Sequence, residues 1–303
     1  MKGEFMRQRH ILLLSIMLPL AACAPKLEDL QNASIPTYSV DQTPSADTAY
    51  IHGSTAEEEH LLGSTSLATF VAAVDGKLIE HTKGAAPTEG TKLTPGTHAV
   101  LIGVFGGDDR TGIPVRLEAE AGKKYVVKAD APKNGIEVLW EASGPPTYLY
   151  IADEETGEAV TPLLPRDNTK ATELHADATG PDAATIRSNG GYEGMLEYRG
   201  AGVITIDNKY TTKSAGNGVY EVTARLSPGL HAIGIRFRSE YWIGEVPLLL
   251  EVKPAASYAV RHAYGVKRIG DKKWSTFTIW IENEKTGEKV IPDVDIPLNR
   301  RLL

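Results

Sequence analysis

Two long stretches of this chain say nearly the same thing, one about 130 residues after the other. Asp75-Gly76-Lys77 recurs as Asp207-Asn208-Lys209, and Leu93-Thr94-Pro95-Gly96-Thr97-His98 recurs as Leu226-Ser227-Pro228-Gly229-Leu230-His231. Pro114, Leu117-Glu118 and Tyr125 answer Pro247, Leu250-Glu251 and Tyr258. Tyr150-Ile151 and Thr156-Gly157-Glu158 answer Trp280-Ile281 and Thr286-Gly287-Glu288. The offsets are 132, 133, 133 and 130 residues, so only short insertions separate the copies. A unit this long is a duplicated domain and not a solenoid repeat.

Each copy reads as β. Phe70 to Val74 runs into Asp75-Gly76, and Gly202 to Ile206 runs into Asp207-Asn208. Such pairs tolerate the positive φ that tight hairpins need. Pro95-Gly96 and Pro228-Gly229 suit type II turns. Apolar alternation follows each: His98, Val100 and Ile102 on one face, Ala99 and Leu101 on the other. Short strands with turn signals every 8–12 residues predict two tandem antiparallel β-sandwiches of the immunoglobulin or transthyretin type. No long helical period occurs, and residues 55–62 allow one helical turn at most. Ile51 and Ile186 are expected to open the two units.

The boundaries follow. Residues 47–163 form the first sandwich and 182–303 the second. Residues 164–181, rich in Asp, Thr, Ala, Pro and Gly, are the expected linker. Residues 23–46 carry Pro25, Pro36 and Pro44 with little periodicity and read as a flexible tether.

Ahead of the tether stands a short targeting segment. Lys2, Arg7 and Arg9 give a basic start, Ile11 to Leu20 an apolar run, and Leu20-Ala21-Ala22-Cys23 a small-residue close. An apolar stretch of ten residues, broken only by Ser15 and Pro19, is about half a membrane span, so residues 1–22 are set aside as a signal peptide. The segment resembles a bacterial lipoprotein signal peptide with its lipobox. The resemblance implies cleavage before Cys23, acylation of that residue, and, with Ala24 following it, transport to the outer membrane. The membrane partner would then be reached through lipid alone.

The leader carries three Lys/Arg and one Glu, so the mature net charge is −7 − 2 = −9. An acidic chain is poorly suited to nucleic acid or to an anionic membrane surface. Cys23 is the only cysteine. Once it is acylated, disulfides, metal-thiolate sites and cysteine nucleophiles drop out.

The two copies also resemble small β-sandwich domains of uncharacterised proteobacterial envelope lipoproteins. In those a strand ending in Asp-Gly precedes an L-x-P-G-x-H strand and an A-G-K-x-Y strand. Copy one matches at Asp75-Gly76, Leu93 to His98 and Ala121 to Tyr125. Copy two departs at the last motif, with Pro254-Ala255-Ala256-Ser257-Tyr258. These are turn and strand signals, so the resemblance implies a fold and brings no reaction.

No nucleophile elbow, P-loop or zinc motif is present. Glu57-Glu58-Glu59-His60 reads as a solvated charged loop before it reads as a cation site. Asp108-Asp109 supplies too few oxygens for calcium. His98 and His231 hold equivalent places, as ligands or bases or, preferably, as half-buried strand histidines whose rings satisfy a neighbouring carbonyl. Glu118 and Glu251 are equivalent too, and read as outward strand positions before halves of a carboxylate pair. Phe237, Arg238, Tyr241 and Trp242 gather near one loop of copy two. They suit anchoring of a protein or sugar partner, or else are core aromatics at a strand end. The expectation is an outer-membrane-anchored, non-enzymatic structural or protein-interaction module without metal or cofactor. A glycan-binding module is the alternative, with a hydrolase between the domains behind it.

Overall fold

The structure is a computed structural model. It describes residues 37–38, 46–60, 63–79, 89–106, 109–130, 148–188, 190–192, 198–213, 221–238, 243–269 and 272–298. Copy one contributes β1 (Thr37–Tyr38), β2 (Ala49–His52), β3 (Thr55–His60), β4 (Gly63–Val74), β5 (Lys77–Ile79), β6 (Thr91–Leu93), β7 (Gly96–Gly106), β8 (Asp109–Ala119), β9 (Lys124–Asp130), β10 (Tyr148–Asp153) and β11 (Leu164–Pro165). Copy two contributes β12 (Ala184–Ser188), β13 (Gly190–Tyr192), β14 (Tyr198–Ile206), β15 (Lys209–Tyr210), β16 (Val222–Leu226), β17 (Gly229–Arg238), β18 (Ile243–Val252), β19 (Ser257–Ile269), β20 (Lys272–Asn283) and β21 (Lys289–Pro297).

Four sheets result, two per copy. In copy one, β1-β5-β4-β7-β8 (with β3 on β4) faces β11-β10-β9-β2-β6. In copy two, β13-β14-β17-β18 (with β15 on β14) faces β16-β12-β19-β20-β21. The fold is therefore two tandem all-β sandwiches, and apart from β1 the duplication holds strand by strand. Ile51 stands opposite Tyr125 as Ile186 stands opposite Tyr258. Those two pairings, β2 with β9 and β12 with β19, are parallel, so neither sandwich is purely antiparallel. Both copies also shift register at the same place, between Val71 and Ala73 and between Val203 and Thr205. A bulge adds twist, and here it lies just before the tight turn. Asp75 and Gly76 take φ of 50° and 78°, and Asp207 and Asn208 take 45° and 66°. Positive φ at both central residues is the type I′ hairpin that the Asx pairs predict.

Tyr125 and Tyr258 explain another shared signal. Each ring is buried, and each hydroxyl accepts a backbone N–H five residues upstream, Glu120 at 3.0 Å and Lys253 at 2.9 Å. This is a tyrosine corner. Tyr258→Phe keeps the ring and removes the bond, and is expected to cost about 1 kcal/mol in urea unfolding. An unchanged midpoint would remove the corner from the account.

One expectation needs correction, and two segments read from composition have backbone partners. Residues 55–60 are strand β3 and not a helical turn, pairing with β4 from Thr55↔Ala68 to His60↔Gly63. Within the expected tether, Thr37–Tyr38 adds to the sheet edge beside Leu78 and Ile79. Thirteen residues (24–36) then stand between Cys23 and the first paired residue, a reach of roughly 46 Å over fourteen steps of ~3.3 Å. The expected linker is bonded to both copies. Leu164 pairs with Leu149, a 3-10 turn follows at Asn168–Lys170, the Pro165 carbonyl accepts from the Tyr210 hydroxyl at 2.7 Å, and Ala178 N–H donates to the Arg225 carbonyl at 3.0 Å. Tyr210, from copy two, is buried with Leu164 and Ala171 at the edge of the first core.

The copies also meet directly: β7 and β8 pack on β17 and β18. This explains why β7 is apolar on both faces. Val100, Ile102 and Val104 fill the first core, while Ala99 and Leu101 on the other face are equally buried. Pro114 of β8 lies against Gly234 of β17, and Thr205 Oγ1 donates to the Pro114 carbonyl at 3.3 Å. Reciprocally, Gly76 sits against Leu248 and the Pro247 carbonyl. The turn of each copy thus reaches the equivalent strand of the other, in the isologous manner of a twofold dimer.

Candidate functional site

The polar chemistry the copies share lies at the tight turns. In copy one, His98 Nδ1 meets Asp75 Oδ2 at 2.8 Å and Nε2 meets the Thr94 carbonyl at 2.8 Å. Asp75 Oδ1 accepts from Ala99 N–H at 2.8 Å. Copy two repeats this with His231, Asp207, the Ser227 carbonyl and Ala232 N–H. Both ring nitrogens face acceptors, so the doubly protonated imidazolium satisfies both contacts. The carbonyl accepting Nε2 belongs to the residue before Pro-Gly. With that carbonyl facing the ring, Gly96 and Gly229 open to φ of 129° and 127°, wider than the type II value of about +80°.

Electrostatics follow from this geometry. Burial alone would lower His98, but the bonds to Asp75 and the Thr94 carbonyl outweigh it and the pKa is raised. His231 is raised chiefly by its bond to Asp207, against burial, with help from Ser227. Burial would raise Asp207, yet His231, Ala232 N–H and Arg116 together hold it low. Stability from the raised histidines is complete below about 6.5, the unfolded value, and is lost as pH climbs through their folded pKa values. Stability from Asp207 is present above about 3.9 and is lost as pH falls through its folded value. The melting temperature is therefore expected to peak between about pH 4 and 6.5 and to decline toward pH 9. His98→Gln with His231→Gln should flatten the alkaline limb in calorimetry. An alkaline limb unchanged in that variant would contradict the assignment.

Copy two has an addition at the junction. Arg116 Nη1 donates to Asp207 Oδ1 at 3.1 Å and to the Leu230 carbonyl at 2.7 Å. The Asn208 side-chain amide accepts from Arg116 N–H and donates to the Arg116 carbonyl at 3.0 Å. One amide thus completes the edge of β8 much as a neighbouring strand would. Where Arg236 and Glu245 form a buried cross-strand pair at 2.8 Å, copy one has Gly103 and Gly112. Burial raises the Glu245 pKa, with Arg236 opposing.

The expected site residues scatter. Phe237 is corrected: it lies on the inward face of β17 and stacks on Phe277 at 4.9 Å, because the strand continues through Arg238 and keeps its alternation. It offers no surface to a partner. Arg238 is partly exposed at the strand end, and Tyr241, Trp242, Cys23 and the lipobox Leu20, Ala21 and Ala22 lie outside the described residues. Glu118 and Glu251 point outward, and Glu118 is held by Thr97 at 2.7 Å and by Arg116. The Glu57–His60 backbone lies in β3, and Asp108 is outside the described residues. Asp75 and Asp207 were the partners missed, although the Asp-to-His spacing of 23 and 24 residues recurs in the sequence.

Among the described residues no group of three His, Cys, Asp or Glu could hold a metal ion, and no helix is long and apolar enough to cross a membrane. Comparison with family models, curated proteins and solved structures found no match.

Proposed function

We propose that the chain is a lipid-anchored protein of the bacterial outer membrane whose folded part is a non-enzymatic structural or protein-interaction module. The observation that carries this reading is the state of the shared histidines. A histidine at the same place in both copies is the strongest hint of chemistry in the repeat. Both rings have each nitrogen committed, one to an aspartate and one to a carbonyl. A general base needs a nitrogen free to reach substrate, so these rings act as staples for the turn. The junction supports the same reading, since Pro114, Gly234 and the Arg116–Asp207 contacts join two sandwiches into a single body suited to spanning or spacing.

Cys23→Ala is expected to move the protein from the membrane fraction to the soluble periplasmic fraction. Retention in the membrane pellet after a wash in about 1 M salt, which screens charge-based docking, would contradict the anchor. Crosslinking of the native chain in intact cells, read by mass spectrometry, tests the module. Discrete envelope protein partners support it. Capture of glycan alone would favour the sugar-binding alternative, in which Tyr241 and Trp242 remain the candidate rings.

A further inference from the structure

The hairpin of β19 and β20 outruns the sandwich that it belongs to. β12 last pairs with β19 at Val260, and β21 last pairs with β20 at Thr276. The hairpin register continues four pairs further, from Val266↔Ser275 through Lys267↔Trp274 and Arg268↔Lys273 to Ile269↔Lys272. A lone two-stranded ribbon is marginal by itself. This one also sets Arg268 directly across from Lys273, and like charges so placed repel. Both residues are exposed, and neither is ion-paired to a described residue. Lys267, by contrast, is tied to Asp295 at 2.6 Å. Val266 shares the face of Arg268 and Lys273 and is 65% exposed, the most exposed large apolar residue described.

Charge points to the occupant. Residues 266–275 carry four Lys/Arg and one Asp, a net +3 that becomes +2 once Lys267 is counted with its partner Asp295, on a mature chain of −9. An anionic surface repels the body and attracts this tip, which fixes an end-on approach. Interleaved apolar and cationic residues suit the headgroup zone of a bilayer, where cations meet phosphate and short apolar groups enter the acyl boundary. We propose that the β19–β20 tip docks on anionic phospholipid headgroups through Arg268 and Lys273, with Val266, two residues behind Arg268 on the same face, entering the interface beside them. Composition argued against an anionic membrane for the chain as a whole; the exception is local. The proposal does not depend on acylation of Cys23.

The test labels Ser275→Cys, opposite Val266, with an environment-sensitive fluorophore in the native purified chain. The chain is mixed with phosphatidylcholine vesicles, with or without phosphatidylglycerol. Fluorescence is expected to rise on the anionic vesicles alone and to disappear in about 1 M salt, where the screening length is ~3 Å. Arg268→Gln with Lys273→Gln should weaken the response about 30-fold, at ~1 kcal/mol per surface cation, while its melting temperature holds or rises as the repulsion is relieved. An equal response on both vesicle types, none on either, or one unchanged in the double variant overturns the proposal. So does fluorescence that responds to soluble polyphosphate and not to vesicles. Sedimentation with pure phosphatidylcholine vesicles reports the lipid anchor separately.

Discussion

Gly234→Val is expected to destabilise the chain by about 3 kcal/mol or more, at the upper end of overpacking effects. A Cβ at Gly234 would stand 2.1 Å from Thr205 Oγ1 and 2.7 Å from Cβ and Cγ of the Pro114 ring. Neither neighbour can yield cheaply. Thr205 is the direct cross-strand neighbour of Gly234 and bonds the Pro114 carbonyl, and the proline ring belongs to the other sandwich. The substitution must therefore lever the two copies apart. Urea unfolding of the native chain reads the loss, and a midpoint close to wild type would mean that Pro114 does not rest on this strand.

Asp207→Ala should be nearly as damaging, at about 3 kcal/mol, the low end for removing one partner of a buried pair, because Asp207 is only half-buried but serves three donors. It strands the His231 ring, leaves Ala232 N–H without its acceptor, and strips Arg116 of its carboxylate partner across the junction, leaving the Leu230 carbonyl. Asp75→Ala makes the same two losses within its own copy but has no Arg116, so about 2 kcal/mol is expected there. Asp207→Ala combined with Arg116→Ala should fall short of the sum of the single changes, because the two share a contact. Equal costs at Asp75 and Asp207, with full additivity, would reduce Asp207 to a turn residue.

The sequence made the turns legible because turns are local. Asp75-Gly76 and Asp207-Asn208 announce positive φ by composition, and they take it. Duplication located Ile51, Ile186 and both tyrosines, since equal spacing points to equal place. What touches across space was hidden. The Asp–His staple joins residues 23 and 24 positions apart, and only the bulge and hairpin bring them together. The junction was harder still. Leu101 became Gly234, and Gly103 became Arg236, so the facing surfaces diverged in size where the copies meet. Read along a single strand, those changes look like loss of pattern. Phe237 is open in the sequence between a partner anchor and a core aromatic, because nothing local marks where β17 ends; Arg238 is its outward-facing last residue, which puts Phe237 in the core. Residues 164–181 looked like a linker by composition, and their backbone bonds to Tyr210 and Arg225 have no local signature.

The claim on which the rest depends is that the two sandwiches form one folded body. Differential scanning calorimetry of the native chain at about pH 5.5, within the expected stability window, tests it directly. One transition is predicted, with the calorimetric enthalpy equal to the van't Hoff enthalpy for the whole chain, and Gly234→Val should split or broaden it. Two independent transitions in the unmodified chain, unmoved by that substitution, would contradict it.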